Sequence, residues 1–125
     1  MPIKFSNDKP IFLQLVDYIK SDIISGKFKT NEKLPSVREF ALMYSVNPNT
    51  IQKALQILED EKLITTDRTN GKYISKSSKQ IENNKLKTIN NEIDAFFEKM
   101  KNFGLEINEI KELINNKGEC RWVLF

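Results

Sequence analysis

A mainly helical α+β fold is what this chain predicts, and three observations predict it. Three blocks of apolar residues between residues 10 and 60 recur at spacings of three and four, the period of an amphipathic helix. Two short β-prone runs then flank Asn70-Gly71. Past residue 85 the helical spacing resumes and continues to Ile114.

The first block runs from Pro10 to about Gly26. It places Ile11, Phe12, Leu15, Val16, Ile19, Ile23 and Ile24 at helical spacing, with Asp17, Lys20, Ser21 and Asp22 between them and Gly26 as a stop. After the polar linker KFKTNEKLP, Ser36-Val37-Arg38-Glu39 reads as a capping box. The Ser36 hydroxyl can accept from the Glu39 amide while the Glu39 carboxylate accepts from the Ser36 amide. The short helix it starts, about Ser36 to Met43, turns Val37, Phe40 and Ala41 inward and leaves Arg38 outward. In the next block, SVNPNTIQKAL, Asn47 is a favoured N-cap, and Pro48 suits the first helical position because an N–H there would be unpaired anyway. With only Tyr44-Ser45-Val46 between them, the second and third helices are expected to cross steeply, as in a helix-turn-helix. Packing Ile51, Leu55 and Leu58 inward forces Asn49, Gln52, Lys53 and Gln56 outward.

Leu63-Ile64-Thr65-Thr66-Asp67 and Lys72-Tyr73-Ile74-Ser75 are the β-prone runs, joined through Arg68-Thr69-Asn70-Gly71. Asn-Gly supplies the positive φ that a tight hairpin needs. Two strands alone are marginal, so this hairpin must lean on the helices. Helix, helix-turn-helix, hairpin is the order of a winged helix.

Composition narrows the function. The chain has 125 residues, 39% hydrophobic and 30% charged, with a formal net charge of +3. That is ordinary for one compact domain with an appendage and compatible with a polyanionic partner. The N-terminus MPIKFSNDKP lacks an apolar signal-like run, and the longest apolar stretch, Phe40 to Tyr44, falls far short of the roughly 20 residues of a membrane span. A cytoplasmic protein without membrane attachment is expected. There is no histidine and a single cysteine, Cys120. An internal disulfide is therefore excluded, the commonest general base and zinc ligand is missing, and neither a metal nor a cofactor is expected. Enzyme chemistry would have to rest on carboxylates such as Glu59, Asp60 and Glu61, which sit at a helix C-terminus, where negative charge is disfavoured rather than tuned for catalysis.

Arg38 or Lys53 alone reads as a solvated surface charge, and either cap as a plain helix start. Their order is what points further. Amides, a hydroxyl and a lysine facing outward at a helix N-terminus suit phosphates, because free N–H groups and the helix dipole point there. They also suit base edges, since Asn and Gln pair with adenine and Lys reaches guanine acceptors.

At these residues the chain resembles the DNA-binding domain of GntR-type bacterial transcription regulators. The resemblance covers residues 10 to 74: PIFLQL, the spaced Ile19 and Ile23 with Gly26, LPSVREFA, VNPNTI, KAL, and LE followed by LI. It implies a winged-helix homodimer whose third helix, about residues 48–60, enters the major groove while the wing lies toward the minor groove or backbone. The DNA contacts implied fall on Ser36 and Arg38, on Asn47, Asn49, Thr50 and Lys53, and on Gly71; Pro48, Gln52, Thr69, Asn70 and Lys72 are added as neighbours on the same surfaces. Departures from the pattern are Pro48 and Gln52 where the family often has arginine, Ser45 where the turn usually holds glycine, and Thr69 in place of one wing glycine. Lys72 adds a charge expected to touch phosphate.

Residues 1–75 are thus expected to be the DNA-binding domain and residues 76–125 a helical tail for dimerisation or effector binding. KSSKQIENNK reads as a polar joint. Leu86, Ile89, Ile93, Phe96, Phe97, Met100 and Phe103 then form an apolar face too wide for solvent, ended by Gly104. Ile107, Ile110, Leu113 and Ile114 mark a second helix that stops before Asn115-Asn116-Lys117-Gly118. Such a helical hairpin cannot complete its own core, so pairing with a second copy through Ile89, Ile93, Phe96, Phe97, Met100 and Phe103 is favoured over an aromatic-rich ligand pocket. The tail length resembles the YtrA-type subgroup, which commonly represses nearby transporter genes. GECRWVLF reads equally as a strand, part of the dimer seam or a poorly ordered end, and Cys120 as a spectator.

The expected function is a dimeric repressor that reads a palindromic operator in double-stranded DNA, with half-sites roughly 10 base pairs or a multiple apart. A different class, a winged helix used to meet an acidic protein partner, is the alternative. A small-molecule effector is compatible with the tail, but nothing in the sequence names one.

Overall fold

Leu15, Ile19, Phe40, Ile51, Leu55 and Leu58 all have essentially no solvent exposure, so the apolar stripes of the first three blocks do meet in one core. The computed structural model describes the backbone of residues 4–121 and side chains through residue 117. The elements are α1 (Ile11–Ile24), α2 (Val37–Tyr44), α3 (Pro48–Asp60), β1 (Ile64–Asp67), β2 (Gly71–Ile74), α4 (Ser78–Asn102) and α5 (Ile107–Arg121). They fall into two compact units, Met1–Lys85 and Leu86–Phe125.

In the first unit α3 is the central element, packed against α1, α2 and β1. Both predicted N-caps form. The Glu39 amide donates to Ser36 Oγ at 3.1 Å and the Ser36 amide to Glu39 Oε1 at 2.9 Å, while the Asn49 amide donates to Asn47 Oδ1 at 2.8 Å with Pro48 at the first helical position. Phe40 seats α2 in the core and stacks on Tyr44, centroids 5.9 Å apart. The turn between α2 and α3 is held in the left-handed region at Ser45, φ 54°, which lets the Val46 amide reach the Ala41 carbonyl at 3.0 Å. A side chain in that region costs about 1 kcal/mol or more. Ser45→Gly is therefore expected to stabilise the unit by a net ~0.5–1 kcal/mol, because glycine's larger unfolded entropy offsets part of the relief. Thermal unfolding should show a midpoint raised by a few degrees; an unchanged or lowered midpoint would contradict the strain.

β1 and β2 pair antiparallel in the register Ile64↔Ile74, Thr65↔Tyr73, Thr66↔Lys72, Asp67↔Gly71. Only glycine supplies the positive φ at the turn, with Gly71 at 104°. Asp67 folds the three-residue connection by accepting from the Thr69 amide and hydroxyl, both at 2.9 Å. The hairpin does not lean on the helices alone. Residues of the polar linker line its free edge: the Leu34 amide donates to the Lys72 carbonyl at 2.9 Å, the Ile74 amide to the Glu32 carbonyl at 2.8 Å, and Lys33 bridges Tyr73. Leu34, 4% exposed, anchors that edge in the core.

Two expectations are corrected. The stretch read as a polar joint is helical from Ser78: Ser77 Oγ accepts from the Gln80 amide at 3.0 Å, Ile81 packs on the core, and Asn84 Nδ2 donates to the Glu61 carbonyl at 3.0 Å. Good helix formers and a serine cap are enough to carry a polar sequence into helix once one apolar residue per two turns finds a seat. α5 also runs through Asn115–Gly118 to Arg121 rather than stopping there. Asparagine and glycine each weaken a helix by at most about 1 kcal/mol, too little to end one by themselves. Within the second unit, Gly104 at φ 92° closes α4 as predicted, with the Leu105 amide donating to the Met100 carbonyl at 3.3 Å. Trp122 to Phe125 and the side chain of Cys120, for which the sequence left several roles open, lie outside the described residues.

Candidate nucleic-acid interface

The first two turns of α3 carry the site. Because Ile51, Ala54 and Leu55 are buried, Pro48, Asn49, Gln52 and Lys53 are exposed on the opposite side, with Thr50 half-buried at the edge. Asn47 spends its side-chain oxygen on the cap and leaves its amide nitrogen outward-facing chemistry. In the same way Ser36 spends its hydroxyl as an acceptor for α2, so its hydrogen-bonding capacity is partly used. Arg38, one residue into α2, is exposed. Lys53 Nζ rests 5.0 Å from the centroid of Phe12 in α1.

The wing is less free than its sequence suggests. Thr69, Asn70 and Gly71 are exposed at the tip, where Asn70 Nδ2 also donates to Asp67 at 3.3 Å. Lys72, expected at phosphate, instead donates to Thr66 Oγ1 at 2.8 Å and to Glu59 Oε1 at 3.2 Å, while Thr66 donates to the same Glu59 oxygen at 2.6 Å. Glu59 stands in the last turn of α3, so this cluster ties the wing to the helix. Asp60 accepts from Gln56 at 3.0 Å and Glu61 pairs with Lys20 at 2.8 Å. Glu59 thus ties the hairpin to α3 and Glu61 ties α1 to its end, while Asp60 is engaged within α3 itself. Lys20 and Lys72 come from other elements, and nothing in the sequence signals their pairing.

The Thr66 hydroxyl, aided by Lys72, holds the Glu59 carboxyl below its ordinary value of 4.5. A depressed folded value means that the deprotonated form favours the fold: the contribution is present above the ordinary value and is lost as pH falls through the lowered one. Between about pH 5 and 3 wild type should therefore lose more stability than Glu59→Gln, which keeps the shape but cannot titrate. Unfolding midpoints measured across that range check it; parallel pH curves would remove Glu59 as the wing's tie.

Gln14 was missed as well. It reads as a surface polar residue, yet it is 7% exposed and latches the N-terminal segment, donating to the carbonyls of Lys9 at 2.7 Å and Ser6 at 3.0 Å and accepting from the Ser6 amide at 2.9 Å.

The family model for bacterial regulatory proteins of the gntR family matches residues 12–74. The chain belongs to the GntR family. The GntR match extends beyond the winged helix: the HTH-type transcriptional regulator YhcF of Bacillus subtilis is 34% identical over 95% of this chain and 98% of its own. The HTH-type transcriptional repressor YtrA of the same organism is 35% identical over 84% of this chain and 82% of its own. A GntR family transcriptional regulator from Listeria monocytogenes superposes with a TM-score of 0.84 at 34% identity, covering 90% of this chain and 98% of that one. This GntR protein is a transcriptional regulator with a DNA-binding winged helix-turn-helix and C-terminal helices, not an enzyme. Among its described residues no helix is long and apolar enough to cross a membrane.

In the second unit of this GntR chain, Ile89, Ile93, Phe96 and Phe103 are 42%, 45%, 43% and 69% exposed. Phe97 and Met100, on the same list of expected seam residues, are half-buried. Near the α4–α5 turn, Phe96, Met100, Leu105, Ile110, Leu113 and Ile114 line a cavity of about 260 Å³.

Proposed function

We propose that the protein is a homodimeric, sequence-specific cytoplasmic repressor in which residues 1–75 bind DNA and residues 76–125 pair two copies. Each α3 enters the major groove of one half of a palindromic operator. Asn49, Gln52 and Lys53 read or grip the groove, Ser36, Arg38, Asn47, Pro48 and Thr50 set the register at its edge, and Thr69, Asn70 and Gly71 bring the wing tip to the backbone while Lys72 ties the wing to α3 through Glu59. What carries this reading is the exposed polar face of α3's first two turns, held outward by the fully buried Ile51 and Leu55 on the other side. The repressor assignment draws on the similarity to YtrA.

Selection from a random duplex library tests it. The expected product is a palindrome with half-site centres roughly 10 base pairs or a multiple apart. Binding to it should weaken steeply with salt, close to one unit of log–log slope per neutralised phosphate. Failure to enrich any sequence, or a flat salt response, would overturn the assignment.

A further inference from the structure

We propose that Phe12 is a positioning residue for DNA recognition: its ring seats the Lys53 ammonium and presents it, already ordered, on the groove-facing side of α3. The inference rests on the DNA-binding reading above and adds to it a residue outside the helix-turn-helix.

Phe12 falls in the apolar rhythm of α1, so the sequence assigns it to the core. The structure takes it out. Phe12 is half-buried and is neither in the core cluster nor among the partly buried residues packed against it. Its ring lies instead under Lys53 Nζ, 5.0 Å from the centroid, within the range of a cation–π contact. α1 packs directly on α3, which fixes the ring relative to the recognition helix.

This seat differs in kind from the one given to Lys72. Lys72 is paired with the Glu59 carboxylate, which neutralises it. Among the described residues no carboxylate forms a salt bridge with Lys53. An aromatic face attracts the ammonium without cancelling its charge and covers only one side of it, so N–H donors on the other side stay available to phosphate or guanine acceptors. A lysine has four flexible carbons to immobilise on making such a contact. Resting on the ring, Lys53 has surrendered part of that freedom before DNA arrives, and preorganisation of this kind appears as affinity.

The experiment uses a duplex selected by the full-length wild-type protein, with dissociation constants measured for Phe12→Leu, which keeps apolar bulk but removes the ring, and Phe12→Tyr, which keeps the ring. Phe12→Leu is expected to weaken binding roughly two- to fivefold, the ratio equivalent to ~0.5–1 kcal/mol for an exposed cation–π contact. Phe12→Tyr should stay near wild type. In a Lys53→Met background, Phe12→Leu should have almost no effect. An independent readout needs no DNA: the Lys53 Hε protons should be shifted upfield by the ring current in wild type, and that shift should vanish in Phe12→Leu and persist in the DNA complex. Equal losses in both backgrounds would make the ring merely structural, and unchanged or tighter binding would show that it does not help recognition. Absence of the upfield shift, in the free protein or in the complex, would equally overturn the proposal. If wild type enriches no duplex, the DNA reading itself has failed, an outcome seen before any variant is compared.

Discussion

Lys53→Glu is expected to weaken operator binding at least about a hundredfold while leaving helix content, unfolding midpoint and self-association unchanged. Lys53 is exposed on α3, and the only described contact its ammonium makes is with the Phe12 ring. Removing it therefore disturbs little of the fold. In a groove lined by phosphates the reversal does two things: it deletes one counterion-releasing contact per protomer and sets a carboxylate among like charges, a juxtaposition that costs several kcal/mol. In the proposed dimer the penalty applies twice. Thr50→Ala, at the half-buried edge of the same face, should cost only a few-fold. Fluorescence anisotropy on the selected duplex measures both. Wild-type affinity in Lys53→Glu would mean that α3 does not face the groove.

The features that could be read in advance were those whose chemistry is local. Ser36 with Glu39, and Asn47 with Pro48, satisfy backbone donors within three residues, so their patterns determine their geometry wherever the chain goes. The positive φ at Ser45, where the resembled pattern usually holds glycine, belongs to the same class, because a three-residue turn after a helix leaves few alternatives. Features that needed a partner from elsewhere stayed hidden. Lys72 looked like a free phosphate contact until Glu59 and Thr66 were brought beside it by the register of the hairpin. The strand-like pairing of residues 32–34 depends on where β2 lies, and nothing in KFKTNEKLP announces it. The first two turns of α4 are invisible to periodicity, which is counted from apolar residues, because between residues 76 and 85 only Ile81 is apolar. Phe12 shows the converse error: helical spacing put it with the core, but spacing cannot distinguish the middle of an apolar stripe from its edge.

Ile93→Asp is expected to convert the proposed dimer to a monomer, read as a fall in scattering mass to the 14.6 kDa of one chain. Leu86, Ile89, Ile93 and Phe96 are each between 42% and 52% exposed along α4, an apolar face that the second unit leaves uncovered. Burying the exposed half of each against a second copy contributes on the order of 1 kcal/mol, so eight such side chains across a two-fold seam favour pairing. A carboxylate at Ile93 would have to be desolvated twice in a two-fold seam, and like charges would face each other there. Ile93 does not line the cavity near the α4–α5 turn, so this variant separates pairing from any ligand role of that cavity. Operator affinity should fall in step, by a hundredfold or more. A monomer engages one half-site, whereas in a dimer the second α3 acts at an effective concentration in the millimolar range. The isolated half-site provides the control, since its affinity should be the same for wild type and Ile93→Asp. If the mass stays at two chains, the seam lies elsewhere. If the mass falls but operator affinity does not, the two recognition helices do not act together on one palindrome.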